Sequence, residues 1–269
     1  MECHRIIKAP CGDQEIHAMV GLDGQGHYMC TANLFGEMVL WSGVDGTSKV
    51  LKGHSKKVLC TAFTPGGETL CSGSADGTIR VWSSVSGECM QTLKGHKGGV
   101  KSVALDARGR SMCSGASDGT VRIWRMMDGR CTHKLGLTNE EESKTVTACA
   151  LNPREGGRVI ACSGRRDGVV HLWAERERAP SSNGGKPGKP APKGGSIVHS
   201  LVGHKGRVSR IVFHPSAPDL LCTHGDDDTV RVWGMAGGKC LQSIDGLSKV
   251  LALQILPGTG HMVLGCECR

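Results

Sequence analysis

Histidine, serine and aspartate recur together along the chain, and these residue types supply the base, nucleophile and orienting acid of a hydrolase triad. Three sets have nearly the same spacing: His54, Ser72 and Asp76; His96, Ser114 and Asp118; and His204, Thr223 and Asp227. A catalytic triad occurs once and lines a cleft. These sets repeat, and a tryptophan follows each aspartate after six residues. The repetition favours a structural role, and we expect no catalytic residue.

Two further groups of polar residues could bind a metal ion, but neither matches an established set of ligands. Cys3, His4, Cys11 and His17 are possible zinc ligands, yet their spacing fits no usual zinc site. Surface or strand thiols explain them better. The acidic run around Asp227 occupies the repeated aspartate position in a turn. The sequence contains no phosphate-binding loop and no HExxH motif. We expect no metal, cofactor or small-molecule substrate.

Five tryptophans divide the chain into repeats. They are Trp41, Trp82, Trp124, Trp173 and Trp233. The intervals between them are 41, 42, 49 and 60 residues, and the blades of repeat propellers span about 40–45 residues. The two longer intervals contain insertions: a polar stretch at 138–144 and a low-complexity insert rich in Gly, Lys and Pro at about 175–195. The second insert predicts a flexible loop.

Each tryptophan ends a short segment with the alternation of a half-buried β-strand. Residues 78–82 and 120–124 are nearly the same sequence, with apolar residues at every second position. An Asp-Gly pair precedes both segments, and it predicts a tight turn because glycine accepts a positive φ without steric cost. Asp228 stands in the glycine position once, and aspartate tolerates the left-handed region.

Fourteen cysteines would suggest a disulfide scaffold in a short secreted chain, but most of them keep step with the repeats. One recurring position contains Cys30, Cys71, Cys113, Cys162 and Cys222, and a second contains Cys89, Cys131 and Cys240. Both predict small buried apolar residues in a reducing compartment. No stretch approaches the length of about 18 apolar residues of a membrane span. We expect no membrane partner and a cytoplasmic, nuclear or nucleolar location.

The markers Gly-His, Ser-x-x-x-Asp-Gly and x-Val-x-Val-Trp resemble those of the WD40-repeat (transducin β-like) family over roughly residues 13–265. The resemblance implies an all-β fold: a β-propeller of four-stranded antiparallel blades, with five full blades and an incomplete sixth. We expect the propeller in residues 13–269 and an N-terminal segment at 1–12, which could add a closing outer strand. No tryptophan is followed by Asp, so the dipeptide that names the family is absent.

In that family a buried hydrogen-bond chain, here called the tetrad, fixes each blade: the indole N–H donates to a hydroxyl, the hydroxyl to a histidine, and the histidine to a carboxylate. The tetrads implied here are His54, Ser72, Asp76 and Trp82; His96, Ser114, Asp118 and Trp124; Ser163, Asp167 and Trp173, without a histidine; and His204, Thr223, Asp227 and Trp233. The first blade offers Thr31 and Trp41, with Phe35 at the aspartate position and Asp13 at the histidine position.

The resemblance implies a non-catalytic platform, and the loops after Gly-His suggest where partners bind. Those loops carry Lys56, Lys57, Lys97, Lys205 and Arg207 in a chain of net charge +8. In the family's geometry they share one face around the channel mouth. We expect a scaffold that binds other proteins in a multi-subunit complex. Residues 203–240 resemble one blade of nucleolar proteins that process small-subunit ribosomal RNA, which points to ribosome biogenesis.

Two alternatives use the same fold. The basic face could bind RNA or phosphate, because lysine and arginine neutralise phosphate groups. Scarce aromatic residues argue against stacking on RNA bases. The chain could also be the substrate-recognition subunit of a ubiquitin ligase, although it contains no Trp-Asp-x-Arg pattern.

Overall fold

The computed structural model describes residues 21–22, 27–136, 145–153, 159–164, 168–175, 195–245, 250–255 and 260–266. These residues form β-strands joined by turns and loops, and none of them lies in a helix. Accordingly, the described residues include no helix that could cross a membrane. The segment 1–12, Asp13, the four possible zinc ligands, Asp167, the polar stretch 138–144 and nearly all of the insert at 175–195 lie outside the described residues.

The strands form five four-stranded antiparallel sheets, here called blades 1 to 5, and one two-stranded sheet. Blade 1 contains β1 (Gly21–Leu22), β2 (Tyr28–Ala32), β3 (Met38–Ser42) and β4 (Ser48–Leu51). Blade 2 contains β5 (Val58–Phe63), β6 (Thr69–Ser74), β7 (Ile79–Ser83) and β8 (Cys89–Leu93). Blade 3 contains β9 (Val100–Leu105), β10 (Ser111–Ala116), β11 (Thr120–Arg125) and β12 (Arg130–Gly136).

The remaining sheets continue the same order. Blade 4 contains β13 (Ala148–Leu151), β14 (Val159–Ser163), β15 (Val170–Glu175) and β16 (Gly195–Leu201). Blade 5 contains β17 (Val208–Phe213), β18 (Leu220–Gly225), β19 (Val230–Gly234) and β20 (Lys239–Ile244). The two-stranded sheet contains β21 (Val250–Ile255) and β22 (Met262–Cys266). Within each sheet every strand pairs with its neighbour in sequence.

The first strands of successive sheets contact one another, from β1 to β5, β9, β13, β17 and β21 in turn. The second strands of blades 2, 3 and 5 are buried over most of their length, whereas β8 and β20 are mostly exposed. First strands are therefore innermost and fourth strands outermost, as in a β-propeller. The prediction of an all-β propeller with five full blades and an incomplete sixth is confirmed.

The hydrophobic core lies between blades. One cluster joins Cys71 and Val81 of blade 2 to Val100, Met112 and Trp124 of blade 3. Blade surfaces approach so closely that a Cβ atom added to Gly73 would lie 2.6 Å from Val100 Cγ1. Small and β-branched side chains, together with Met112 and Trp124, thus fill the space between the two sheets.

The turn between the second and third strands requires a residue with positive φ. Gly77 has φ 82° and Gly119 has φ 75°, whereas Asp228 has φ 55° at the matching position. The interpretation of Asp228 as a left-handed residue is therefore confirmed.

The two recurring cysteine positions differ in exposure. Cys30, Cys71, Cys113, Cys162 and Cys222 are buried, as predicted, and are called the inner cysteines. The prediction was wrong for Cys89, Cys131 and Cys240, which are exposed and are called the outer-strand cysteines. They lie at the start of outermost strands, where one side of the sheet faces solvent. Burial raises the pKa of Cys71, an inner cysteine, to about 12.

Candidate interaction face

The tetrad residues of blade 2 are brought together by three elements. Ser72 lies on β6, Trp82 lies on the neighbouring β7, and His54 lies in the loop that enters the blade. The Trp82 indole Nε1 donates to Ser72 Oγ over 2.8 Å, and Ser72 Oγ is 2.8 Å from His54 Nε2. His54 Nδ1 is 2.9 Å from Asp76 Oδ2. The four side chains therefore form a continuous chain from the indole to the carboxylate.

Blades 3 and 5 contain the same chain. In blade 3 the Trp124–Ser114, Ser114–His96 and His96–Asp118 distances are 2.8, 2.7 and 3.1 Å. In blade 5 the Trp233–Thr223, Thr223–His204 and His204–Asp227 distances are 2.8, 2.7 and 2.9 Å. Thr223 takes the place of serine in blade 5, and its hydroxyl makes the same two contacts.

The protonation states follow from the chain and its burial. Burial lowers the pKa of His54, although the hydrogen bond and charge of Asp76 oppose that effect. Burial alone would raise the pKa of Asp76, but the hydrogen bonds from Thr78 and His54 outweigh it and lower the pKa to about 2. A neutral His54 thus donates from Nδ1 to an ionised carboxylate and accepts at Nε2 from the Ser72 hydroxyl.

Each tetrad carboxylate has further donors that the sequence reasoning missed. A threonine two residues after each aspartate donates its hydroxyl: Thr78 to Asp76 over 2.6 Å, Thr120 to Asp118 over 2.8 Å, and Thr229 to Asp227 over 3.0 Å. The backbone N–H after each histidine also donates to the same carboxylates, from Ser55, Lys97 and Lys205 over 3.1, 2.8 and 2.9 Å. The recurrence of threonine four residues before tryptophan was the available signal.

Blades 1 and 4 depart from the tetrad. In blade 1, Trp41 Nε1 donates to Thr31 Oγ1 over 3.2 Å, but Phe35 holds the sequence position of the aspartate, so that position supplies no carboxylate. In blade 4 the structure does not join Ser163 to Trp173. Ser163 Oγ instead donates to the Val208 carbonyl over 3.2 Å, and the buried Trp173 Nε1 has no hydrogen-bond partner within the described part of the chain.

The entry loop of one blade packs on a turn of the preceding blade. A Cβ atom added to Gly77 of blade 2 would lie 3.2 Å from the carbonyl oxygen of His96 in the loop that enters blade 3. Each entry loop also bonds the turn of its own blade. In blade 2 the Ala75 N–H donates to the Lys57 carbonyl over 2.9 Å, and in blade 5 the Asp226 N–H donates to the Arg207 carbonyl over 2.8 Å. These loops and turns therefore form one surface, here called the tetrad face: loops 52–57, 94–99 and 202–207, and turns 33–37, 74–78, 116–120 and 225–229.

The five basic residues proposed from the sequence all lie exposed on the tetrad face. They differ in how their charge is balanced. Arg207 forms a two-pronged ion pair with Asp226, with N–O distances of 3.0 and 3.2 Å. No ion pair joins Lys56, Lys57, Lys97 or Lys205 to another described residue. The uncompensated positive charge therefore lies on the loops that enter blades 2, 3 and 5, and two of the four lysines are on the loop that enters blade 2.

The buried tetrads offer no reactive group to a ligand. Ser72 and Ser114 have no solvent-exposed surface, and each hydroxyl already bonds the indole and the imidazole. A nucleophile must reach its substrate, so this arrangement does not suit hydrolysis. Among the described residues, no group of three His, Cys, Asp or Glu could hold a metal ion. The tetrad face is suited to binding through its exposed loops.

A family model described as "WD domain, G-beta repeat" matches residues 46–83, 87–125 and 195–234 of the chain. The three matches end at or next to the tryptophans of blades 2, 3 and 5, which have complete tetrads. The segment that contains the tryptophan of blade 4 is not among them.

Several proteins are similar to the chain. Nuclear distribution protein PAC1-2 of Uncinocarpus reesii is 28% identical over 249 residues, which cover 82% of this chain and 50% of that protein. Nuclear distribution protein nudF 1 of Talaromyces marneffei is 31% identical over 219 residues, covering 80% of this chain and 47% of that protein. The chain thus spans about half the length of these relatives. Ribosome biogenesis protein BOP1 of Rattus norvegicus is 49% identical over 43 residues, or 16% of this chain and 6% of that protein.

Proposed function

The chain is a WD40-repeat protein, and on that premise we propose that it is a scaffold that binds other proteins through the tetrad face. One observation carries the proposal. Three exposed lysines, Lys56, Lys57 and Lys97, lie on neighbouring loops without an ion-pair partner among the described residues, and buried tetrads hold those loops in place. Unbalanced positive charge favours an acidic partner. Because the loops are already held in place, they also lose less conformational freedom when the partner binds.

The proposal is tested by affinity purification and mass spectrometry with charge-reversed variants. The site variant is Lys56→Glu, Lys57→Glu and Lys97→Glu. The control variant is Arg110→Glu, Arg130→Glu and Lys239→Glu, which makes the same change in net charge at exposed positions outside the tetrad face. We expect the wild-type chain and the control to recover the same stoichiometric partners and the site variant to lose them. Unchanged recovery with the site variant would reject the proposal.

A finer proposal assigns the complex to ribosome biogenesis. It is supported by the likeness of residues 203–240 to one blade of nucleolar proteins and by the similarity of 43 residues to a protein named for ribosome biogenesis. The same purification tests it, since ribosome-assembly factors should be among the partners lost with the site variant. Recovery of ubiquitin-ligase subunits in their place would instead support a role in substrate recognition.

RNA or phosphate binding is a second candidate for the same three lysines, because the affinity of lysines for phosphates arises from release of counterions. Filter binding of single-stranded RNA at several salt concentrations separates it from protein binding. If RNA is the ligand, the site variant should reduce the slope of log affinity against log salt by about 2, or about 0.7 for each lysine. Affinity that does not depend on salt would remove this candidate.

A further inference from the structure

An aromatic side chain is exposed where other blades bury a carboxylate. Phe35 occupies the position of Asp76 and Asp118 in the turn between the second and third strands, yet 68% of its surface is exposed. Leu34 beside it is 47% exposed. Aromatic side chains bury large areas when they bind and are enriched among the residues that dominate interfaces. Two adjacent apolar residues at the tip of a turn therefore form a candidate anchor point.

The turn that displays Phe35 is held by its own hydrogen bonds. Asn33 Oδ1 accepts from the backbone N–H of Phe35 and of Glu37, each over 3.0 Å. Gly36 has φ 92°, which is in the left-handed region that favours glycine. The ring is thus presented by a fixed backbone, so little ordering of the turn is required when a partner covers it.

Positive charge lies directly beside this turn. A Cβ atom added to Gly36 would lie 2.5 Å from the Lys56 carbonyl oxygen and 2.9 Å from the His54 carbonyl oxygen, so the turn touches the loop that enters blade 2. Lys56 and Lys57 on that loop are exposed. The acidic side chain of the turn, Glu37, is paired with Lys52 at 3.2 Å. The neighbourhood of the ring is therefore apolar at its centre and positive at its edge.

We propose that Leu34, Phe35, Lys56 and Lys57 form a docking site for an acidic segment of a partner protein that carries a large apolar side chain. The apolar side chain covers Leu34 and Phe35, and carboxylates flanking it pair with the two lysines. Charge complementarity selects this partner, since a basic or uncharged apolar segment would leave both lysines uncompensated. The inference rests on the proposed function and specifies the chemistry of the partner at one corner of the tetrad face.

Selection from a random twelve-residue peptide library, displayed on phage against the immobilised full chain, tests the site. We expect the enriched peptides to combine Asp or Glu with Leu, Phe or Trp. Fluorescence polarisation of the best labelled peptide should show a dissociation constant raised at least about tenfold by Phe35→Ser and by Lys56→Ala/Lys57→Ala. Met127→Ser is the matched control, because Met127 is 83% exposed in a turn outside the tetrad face.

Each outcome decides the inference. Enriched peptides without acidic residues, or peptides that bind Phe35→Ser as tightly as the wild-type chain, would overturn it. A dimer in sedimentation velocity that Phe35→Ser abolishes would overturn it in favour of a second copy of the chain. If the Lys56, Lys57 and Lys97 charge reversals lose the protein partners but Phe35→Ser retains them, the docking site is rejected. The scaffold proposal would then still stand. Unchanged thermal unfolding of Phe35→Ser verifies that the variant is folded.

Discussion

Replacing Asp76 with alanine removes the group on which the tetrad of blade 2 ends. The carboxylate bonds His54 Nδ1 over 2.9 Å and the Ser55 N–H over 3.1 Å, and it accepts from the Thr78 N–H and hydroxyl over 2.8 and 2.6 Å. Water can replace the carboxylate at the exposed Ser55, but the His54 side chain is fully buried. The main loss therefore falls on the histidine, whose Nδ1 keeps only the more distant Thr78 hydroxyl, at 3.3 Å.

The expected loss of stability follows from the burial of His54. A hydrogen bond to a charged group contributes about 1.5–3 kcal/mol, and a buried donor left without a partner costs about 1–3 kcal/mol. We expect Asp76→Ala to lower the free energy of unfolding by about 3 kcal/mol. At about 2–4 °C per kcal/mol for a chain of this size, Tm should fall by about 6–12 °C. Asp76→Asn retains an oxygen that can accept from His54, so its loss should be smaller.

Guanidinium denaturation followed by tryptophan fluorescence, together with calorimetry, measures the effect. Asp226→Ala is the matched control in blade 5, because Asp226 and its partner Arg207 are 47% and 46% exposed. Exposed ion pairs contribute little, so this control should change stability by at most about 1 kcal/mol. Equal losses for Asp76→Ala and Asp226→Ala would refute the role assigned to the tetrad.

Three further predictions concern the remaining features of the blades. Trp173→Phe should cost less stability than Trp82→Phe by about 1 kcal/mol or more in denaturation, because Trp82 loses a hydrogen bond and the Trp173 indole has none to a described residue. Burial lowers the pKa of the three tetrad histidines, so the stability that their neutral forms contribute is complete above the unfolded pKa of about 6.5 and is lost as pH falls below it. Measuring the free energy of unfolding at pH 7.5 and at pH 5.5 checks this. Greater stability at pH 5.5 would contradict it. The outer-strand cysteines should react with Ellman's reagent in the native protein, whereas the inner cysteines should react only after denaturation; peptide mapping of the labelled protein separates the two groups.

The repeat spacing predicts the fold because strand geometry relates residue number directly to position. Leu70 pairs with Trp82 across β6 and β7, and Ser72 pairs with Arg80, so the hydroxyl lies near the indole. A hydroxyl ten residues before a tryptophan therefore indicates a hairpin that brings the two groups together. The aspartate between them lies in the turn for the same reason.

Other features depend on contacts between blades, which spacing within one repeat does not contain. The absence of a histidine in blade 4 was visible, but the hydrogen bond from Ser163 to the Val208 carbonyl joins residues of two blades. The ion pair between Arg207 and Asp226 joins two loops within blade 5, and strand alternation does not indicate such a contact. Alternation also gave no means to separate outermost strands from inner ones, and for that reason the exposure of Cys89 was missed.

The tetrads stabilise the blades and also hold the binding loops. In blades 2, 3 and 5 the carboxylate accepts from the backbone N–H that directly follows the histidine, and in blade 2 that N–H belongs to Ser55, next to Lys56 and Lys57. The loop that bears these lysines is therefore fixed at its base by the same carboxylate that satisfies His54. Because a fixed loop loses little entropy on binding, the tetrad strengthens the binding of a partner to the loop without contacting that partner. Asp76→Ala should consequently weaken binding at Lys56 and Lys57 even at temperatures where the variant remains folded, whereas Asp226→Ala should not.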